Sequence, residues 1–340
     1  MATLKDVAKE AGVSATTVSI IINGKAEQRK IPPATCQKVR AAIEKLGYQP
    51  DPSARLLRSG GKRKPLIGFF WPQGYRLIIM ASFINSMAQE LQRQGAEYEL
   101  VVHTFENDRL SDSATELEEN VYDAVIVGAC SAGDLAFLES LRLELPLVLI
   151  NRHSEVYSSV EIDNVGMGRA AAEMIFRKGY RSAAAVTSSE RYLQTQRRTD
   201  AFLARCKELG IEIRPEHCLS APRSMAGGAE VAVRFATLEE RPGVLFFESA
   251  SMALGTLNTF HRLGISVPED VEILALSMIA QENTMYSVPS LSILALPNRK
   301  IGEEAIRLLL EFAREKPAQP IRKTLEYDVY LRDSFRLPSV

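Results

Sequence analysis

The stretch that decides the fold is residues 4–24, LKDVAKEAGVSATTVSIIING, in which two short helical patterns flank a tight turn at 11–13. Apolar residues recur every three or four positions in both patterns, and Gly12 allows the left-handed backbone that ends a helix. A third helical pattern follows from Pro33 to Leu46. Three short helices with such a turn between the first two are typical of a helix-turn-helix DNA reader.

Charge is distributed unevenly along the chain. Residues 1–64 contain 13 Lys and Arg against 5 Asp and Glu, whereas the whole chain has a net charge of −1. The first 64 residues therefore carry about +8 and the remaining 276 about −9. A basic segment on an acidic body favours binding of nucleic acid by the basic segment.

The second helical pattern carries the predicted base contacts. Ser14 can cap its N-terminus, and Val18 and Ile21 form the face that packs on the first helix. Thr16 and Ile20, spaced by four, then share the opposite face. The outward Ile20 is either a stray exposed apolar residue or a contact with a thymine methyl group in the major groove.

A charged loop, KAEQRK at 25–30, connects the second and third helical patterns. It is either an ordinary solvated loop or a phosphate contact beside the recognition helix. The complete set of predicted DNA contacts in the head is Thr3, Ser14, Ala15, Thr16, Thr17, Ser19, Ile20, Asn23, Lys25, Arg29 and Lys30.

The run DVAKEAGVSATTVSIIING at 6–24, followed by GYQPDPSARLLRSG at 47–60, resembles the head and hinge of the lactose-repressor (LacI/GalR) family of bacterial transcription regulators. Ile20 departs from the family pattern, which often has Arg or another polar base reader there. The resemblance implies a cytoplasmic, homodimeric regulator that acts as a repressor. Its partners would be a pseudo-palindromic double-stranded DNA operator and a small-molecule effector.

The hinge residues themselves predict a short helix. Asp51 is a good helix cap, and the residues after it could form about two helical turns, too few to be stable alone. We therefore expect the segment to fold on DNA. The resemblance implies three DNA contacts here, with Ala54 against the minor groove, Leu57 wedged between base steps and Arg55 beside them. A plain flexible linker is the alternative.

Residues 65–340 predict two α/β lobes, because apolar strand-like runs alternate with helical stretches. The predicted strands are 66–71, 100–105, 124–127, 146–150, 183–187, 244–247 and 271–276. The predicted helices are 79–93, 113–120, 134–142, 166–177, 193–209 and 252–262. Together they resemble a periplasmic sugar-binding protein, in which two parallel, doubly wound sheets close on a ligand.

Passages between the lobes are predicted near 161–163, 289–291 and 317–321, and the last strand, 324–331, is expected in the second lobe. The predicted fold is an all-α helix-turn-helix head plus hinge helix, joined to an α/β two-lobed periplasmic-binding-protein-like effector domain. Its predicted parts are a head at 1–49, a hinge helix and linker at 50–64, an N-terminal lobe at 65–161 and 293–319, and a C-terminal lobe at 162–292 and 320–340.

The resemblance also implies an effector site between the lobes. Arg198 matches an arginine that commonly contacts the effector; the alternative is a surface arginine with no special contact. At the other positions expected to line this site, the sequence has fewer carboxylates and more cations than the family pattern. This difference favours an anionic ligand such as a sugar phosphate, and a neutral sugar is the alternative. The predicted effector contacts are Tyr75, Arg76, Arg152, Tyr192, Arg198, Ser249 and Ser277.

Other functional classes find little support. The four histidines are scattered, the four cysteines show neither metal-ligand nor disulfide spacing, and no nucleophile elbow or phosphate loop is present. No signal peptide precedes the head, and no apolar run approaches 18 residues. We therefore expect no enzymatic activity, cofactor, metal or membrane contact. The glycines in 166–168 are interpreted as a strand-to-helix turn.

Two alternatives stay open at this point. The protein could instead be a two-lobed small-molecule-binding protein with a weak or nonspecific DNA-binding head that acts through protein partners. The stripe formed by Phe83, Met87 and Leu91 on the helix at 79–93 is either a contact across the dimer axis or ordinary core packing.

Overall fold

The computed structural model of the chain describes residues 4–22, 26, 29–46, 64–74, 77–118, 121–143, 145–190, 192–279, 281–315 and 317–336. The predicted hinge, 50–64, therefore lies almost wholly outside the described residues.

The head consists of α1 (Leu4–Ala11), α2 (Ala15–Ile22) and α3 (Pro33–Leu46). Val7, Val18 and Val39, one from each helix, are fully buried where the helices meet. Gly12 has φ +65°, a left-handed backbone conformation that glycine adopts readily and that ends α1. Ser14 caps α2, because its Oγ accepts a hydrogen bond from the Thr17 N–H at 3.0 Å. The predicted helix-turn-helix is therefore confirmed in its helices, its turn and its cap.

The first lobe is built on a parallel sheet with strand order β2-β1-β3-β4-β5-β11. Its strands are β1 (Leu66–Pro72), β2 (Glu99–Phe105), β3 (Ala124–Gly128), β4 (Leu147–Ile150), β5 (Ser158–Ile162) and β11 (Arg322–Leu325). Its helices are α4 (Leu77–Arg93), α5 (Ala114–Glu118), α6 (Ala132–Leu141) and α12 (Asn298–Arg314). Apolar cores lie on both faces of the sheet.

The second lobe repeats this plan with strand order β7-β6-β8-β9-β10-β12, in which only the β10–β12 pairing is antiparallel. Its strands are β6 (Ala184–Ser188), β7 (Cys218–Ala221), β8 (Val244–Phe247), β9 (Glu272–Ser277), β10 (Ser292–Ala295) and β12 (Asp328–Tyr330). Its helices are α7 (Asn164–Arg177), α8 (Leu193–Glu208), α9 (Met225–Ala236), α10 (Ala250–Leu263) and α11 (Gln281–Met285).

Two of the three predicted passages between the lobes were misplaced. The first passage follows β5, as predicted, but the second lies at 296–297, because β10 still pairs with β9 of the second lobe. The third lies at 326–327, because β11 pairs with β5 of the first lobe before β12 pairs with β10. The single predicted strand at 324–331 is thus two short strands in different sheets.

The stripe on α4 belongs to the core. Phe83, Met87 and Leu91 are buried against residues of α12, so they are not available for a contact with a second copy. Within the described residues, no helix combines the length and the apolar content that crossing a membrane requires.

Helices pack closely in both lobes where a glycine removes a side chain. A Cβ at Gly255 of α10 would lie 1.9 Å from the backbone oxygen of Met225 at the start of α9. In the first lobe, a Cβ at Gly302 of α12 would lie 2.0 Å from the Oγ atom of Ser86 in α4. The first contact is with rigid backbone and the second with a side-chain hydroxyl.

Candidate functional site

The first candidate site is the outward face of α2. Ser14 and Thr16 are exposed, and Ala15, Thr17, Ser19 and Ile20 are half-buried, whereas Val18 and Ile21 are buried. Arg29 and Lys30 are exposed in the turn before α3, where Lys30 has φ +52°. The structure therefore leaves Thr16 exposed and Ile20 half-buried on α2, and it leaves Arg29 and Lys30 exposed in the turn before α3.

Several predicted DNA contacts lie outside the described residues. They are Thr3, Asn23, Lys25, Ala54, Arg55 and Leu57. Their roles stay predictions.

The second candidate site is a cleft between the two lobes, with an empty volume of about 540 Å³ that includes its opening to solvent. The first-lobe residues that line it come from β1, α4, α12 and the ends of β3 and β4. The second-lobe residues come from α8 and the residue before it, and from the segments after β7, β9 and β10. The lining consists of Trp71, Ile79, Phe83, Ala129, Ile150, Asn151, Arg152, Tyr192, Gln194, Thr195, Arg198, Arg223, Met278, Leu296 and Ile301.

Arg198 of α8 faces this cleft and is only 2% exposed. Its Nε donates to the Gln194 backbone oxygen at 3.2 Å, while its Nη1 is buried and has no hydrogen-bond partner among the residues that the structure describes. Burial, together with the neighbouring Arg223 and Arg152, lowers the pKa of Arg198 to about 9, so the group stays charged at neutral pH. A buried cation with a free donor is suited to hold an anion.

Arg223 provides a second guanidinium on the same wall. It donates to the Glu248 carboxylate at 3.1 Å and to the Thr195 hydroxyl at 3.1 Å, and its guanidinium carbon lies 5.7 Å from the ring centroid of Tyr192. Glu248 also accepts hydrogen bonds from the Ser188 N–H and the Thr199 hydroxyl. Glu248 thus holds Arg223 in place and balances one of the buried positive charges.

Arg152 lies at the base of the cleft, just after β4. Its guanidinium donates to the backbone oxygens of Cys130 and Asn151, and it is 5% exposed. Burial lowers the pKa of Arg152 as it does that of Arg198. The backbone acceptors carry no formal charge, so they orient the guanidinium without neutralising it.

Hydrogen bonds join the two lobes beside these arginines. Gln194 of α8 donates to the Asn151 backbone oxygen at 3.1 Å and accepts from the Asn164 amide at 3.1 Å. Asn164 also donates to the Asn151 side chain at 2.9 Å. The amide groups therefore connect the end of β4 in the first lobe to α7 and α8 in the second.

A glycine fixes the helix that carries Arg198. A Cβ at Gly168 of α7 would lie 2.1 Å from the Arg198 backbone oxygen, so α7 and α8 can pack this closely only with glycine there. Asp163 caps α7 by accepting from the Gly166 N–H at 2.7 Å. The strand-to-helix turn predicted at 166–168 is thus already helix, and Gly168 is a packing position.

The structure brings only part of the predicted effector set together. Arg152, Tyr192 and Arg198 line the cleft, whereas Tyr75 and Arg76 lie outside the described residues. Ser249 and Ser277 are buried away from the lining. Ser277 turns inward, with its hydroxyl 3.5 Å from the Ile279 oxygen, and the next residue, Met278, reaches the cleft instead.

Sequence reasoning missed several lining residues and their partners. Arg223 follows the end of β7, Glu248 follows β8, and Asn151 follows β4. Ligands of open α/β sheets bind outside the carboxyl ends of the strands, so a polar residue directly after an apolar run was the available signal. The signal is clear for Asn151 and Glu248, which follow the predicted strands 146–150 and 244–247, and it is weak for Arg223, because β7 is a short strand that the apolar pattern does not predict.

Comparisons with known proteins agree with this arrangement. Residues 3–51 match the family of bacterial regulatory proteins, lacI family, and residues 175–335 match a periplasmic binding protein-like domain. The chain is 27% identical to the probable HTH-type transcriptional repressor ExuR of Bacillus subtilis (strain 168), over 99% of both chains.

Solved structures show the same relationship. A LacI family transcription regulator from Clostridium acetobutylicum is 31% identical, with a TM-score of 0.76 over 79% of this chain and 100% of that one. The transcriptional regulator CelR in complex with cellobiose shares the fold, with a TM-score of 0.68 and 23% identity over 98% of this chain and 100% of that one. The chain described here therefore belongs to the LacI family of DNA-binding bacterial regulatory proteins, with an N-terminal helix-turn-helix head and a two-lobed effector-binding body.

Proposed function

We propose that the protein is a transcriptional repressor whose affinity for a DNA operator is controlled by a small anionic metabolite bound between the lobes. The observation that carries the effector part is the charge of the cleft. Arg152, Arg198 and Arg223 line it, and none of its described lining residues is Asp or Glu. Glu248 forms an ion pair with Arg223 and its charge also acts on Arg198, and Asp134 acts on Arg152 in the same sense, so two carboxylates face three guanidinium groups.

An anion would complete this arrangement. A buried charge without a partner is costly, and the free Nη1 of Arg198 offers a donor that no protein acceptor uses. A carboxylate or a phosphate could occupy that donor and share the positive potential of the neighbouring arginines. The sugar phosphate expected from the family resemblance is one candidate of this kind, whereas the cellobiose bound by CelR is a neutral sugar.

The head supports the DNA part of the proposal. The exposed face of α2 presents Thr16 and the half-buried Ile20 at a spacing that lets both reach base edges in the major groove. Arg29 and Lys30 are exposed in the turn before α3, and in this proposal they meet phosphates beside the recognition helix. The hinge contacts of Ala54, Arg55 and Leu57 belong to the same proposal.

The proposal includes a homodimer, because one head reads one half-site of a pseudo-palindromic operator. With the α4 stripe buried, the second lobe offers another surface for the second copy. Met285 at the end of α11 and Tyr286 and Val288 just after it are exposed, Val288 to 88%. Changing Tyr286 to Glu should shift the protein toward a monomer in analytical ultracentrifugation, whereas an unchanged dimer would place the contact elsewhere.

The relatives are repressors, and we propose that this protein has no enzymatic activity and acts in the cytoplasm. The competing function, a small-molecule-binding protein with a nonspecific head, differs in what the head does to DNA. Selection of binding sites from a random double-stranded DNA library distinguishes the two. A repressor should enrich two inverted half-sites, whereas a nonspecific head should enrich none.

The same selection tests the role of Ile20. An isoleucine can contact a thymine methyl group but cannot form the paired hydrogen bonds by which Arg selects guanine. Ile20→Arg should therefore shift one position of each half-site from thymine toward guanine. Lys38→Arg is the matched control, because Lys38 is exposed on α3 rather than α2. An unchanged consensus for Ile20→Arg would place that side chain off the bases.

A further inference from the structure

The two walls of the cleft differ in chemistry. On the first-lobe side, β1, α4, α12 and the ends of β3 and β4 contribute an apolar surface, which consists of Trp71, Ile79, Phe83, Ala129, Ile150 and Ile301. All six are hydrophobic, and the indole N–H of Trp71 is the one polar side-chain group among them. Met278, which follows β9, and Leu296, at a passage between the lobes, extend the apolar surface.

The polar groups of the described lining are confined to the other side and to the base. Tyr192, Gln194 and Thr195 stand with Arg198 and Arg223 on the second lobe, and Asn151 and Arg152 lie at the end of β4. Several of these groups are already engaged with protein partners, as in the hydrogen bond from Arg223 to Thr195. A ligand in the cleft therefore meets charge on one side and hydrocarbon on the other.

The aromatic part of the apolar wall is held in place by packing. The ring centroids of Trp71 and Phe83 are 5.1 Å apart, and those of Trp71 and Phe69 are 5.4 Å apart. A Cβ at Gly128 would lie 2.3 Å from the Trp71 ring, so glycine at the end of β3 makes room for the indole. The wall is thus a preformed surface rather than a set of mobile side chains.

We infer that the effector is an amphipathic organic anion, a small monocarboxylate with an aromatic or branched aliphatic body, and not a sugar or a sugar phosphate. This inference rests on the proposed function and narrows its ligand class. The carboxylate would lie against Arg198 and Arg223, and the hydrocarbon body would lie against Trp71, Phe83 and Ile301.

The energetic reason is the cost of burying hydroxyl groups against the apolar wall. A sugar ring carries hydroxyls around its whole edge, and each one buried there without a partner lowers affinity by roughly 10- to 100-fold. Each methylene group buried at the same wall instead raises affinity by about 4-fold. The wall therefore selects against a polyhydroxylated anion while the arginines select for negative charge.

The test is isothermal titration calorimetry on the full-length protein with a defined set of probes. The apolar anions are 3-phenylpropionate and 4-methylpentanoate, and the neutral match is 3-phenylpropan-1-ol. The polyhydroxylated anions are glucuronate and glucose 6-phosphate, with glucose as the neutral sugar. At least one apolar anion should bind about 10-fold or more tightly than the alcohol and than either sugar anion, because the ion pair and the wall each contribute at least that factor.

A pair of variants ties the binding to the cleft. Arg198→Gln should weaken the apolar anion by about 10-fold or more, since it removes the charged donor. Arg205→Gln is the matched control, because Arg205 lies on the same helix but forms exposed ion pairs with Glu173 and Glu208. It should leave the affinity unchanged, and equal losses in both variants would overturn the assignment of the anion to this cleft.

The outcomes separate this inference from the proposal on which it rests. Tighter binding of glucuronate or glucose 6-phosphate would overturn the amphipathic ligand and leave an anionic effector standing. Tightest binding of glucose would overturn both. Failure of both apolar anions to bind at millimolar concentration would also overturn the inference.

Discussion

The two lobes share one architecture and differ in what they present to the cleft. Both sheets have the same strand order, and each ends with a strand contributed from beyond a passage between lobes. Yet the first lobe faces the cleft with Trp71, Phe83 and Ile301, and the second faces it with Arg198 and Arg223. Topology therefore determines where the cleft lies, and the side chains that line the cleft determine which ligand fits it.

The difference extends to stability. The apolar wall of the first lobe is continuous with a hydrophobic core and contributes to folding whether or not a ligand is bound. The arginines of the second lobe depend on Glu248, the one carboxylate that contacts Arg223 among the described side chains.

Removing the carboxylate of Glu248 should have the largest effect. Glu248→Gln leaves buried Arg223 without its counter-charge, and breaking a buried ion pair from one side costs about 3 to 5 kcal/mol. Urea unfolding of the ligand-free protein measures this loss. The double variant Arg223→Met with Glu248→Leu should recover most of the lost stability, because it removes both charges together. A Glu248→Gln loss below about 1 kcal/mol would show that the pair is solvated.

Helix packing offers a paired test between the lobes. Gly255→Ala in the second lobe drives a methyl group into the Met225 backbone oxygen and should destabilise by about 1 to 3 kcal/mol. Gly302→Ala in the first lobe meets the Ser86 hydroxyl, which can rotate away by giving up its hydrogen bond to Phe83. Thermal unfolding should therefore rank Gly255→Ala as the more damaging, and the reverse order would contradict the packing described.

The hydrogen bonds between the lobes should give the smallest effect. Gln194→Ala removes the donor to the Asn151 oxygen and the acceptor for Asn164, at a cost of about 1 kcal/mol. Gln196→Ala, on the exposed face of the same helix, is the matched control and should be neutral. Differential scanning calorimetry measures both. Equal melting temperatures for the two variants would mean that the lobes are joined elsewhere.

Patterns with a clear period were sufficient to predict much of the fold. The sequence predicts a three-helix head, because Val7, Val18 and Val39 each fall on the apolar face of a helical pattern. The strand at 244–247 was predicted to the residue because a buried parallel strand is a continuous apolar run. The passages at 296–297 and 326–327 could not be predicted, because each one directly follows a four-residue strand, β10 or β11. No helix lies between the strand and the passage to mark the change of lobe.

The site was harder to predict than the fold. Arg198 could be identified from its position relative to the family pattern, and it does face the cleft. Arg223 and Glu248 could not be paired from the sequence, because they lie 25 residues apart and meet only through the parallel register of β6, β7 and β8. Nor could the apolar wall be distinguished from ordinary core, since Ile79 and Phe83 also belong to the core of the first lobe.

The central claim is that an anion held by the second-lobe arginines changes the affinity of the head for its operator. The most direct test is the dissociation constant of the selected operator, measured by fluorescence anisotropy with and without saturating 3-phenylpropionate. Allosteric coupling should change that constant by about 5- to 150-fold in the wild type and in Arg205→Gln, and should leave it unchanged in Arg198→Gln. An operator affinity that stays the same in the wild type while calorimetry shows the anion bound would contradict the claim.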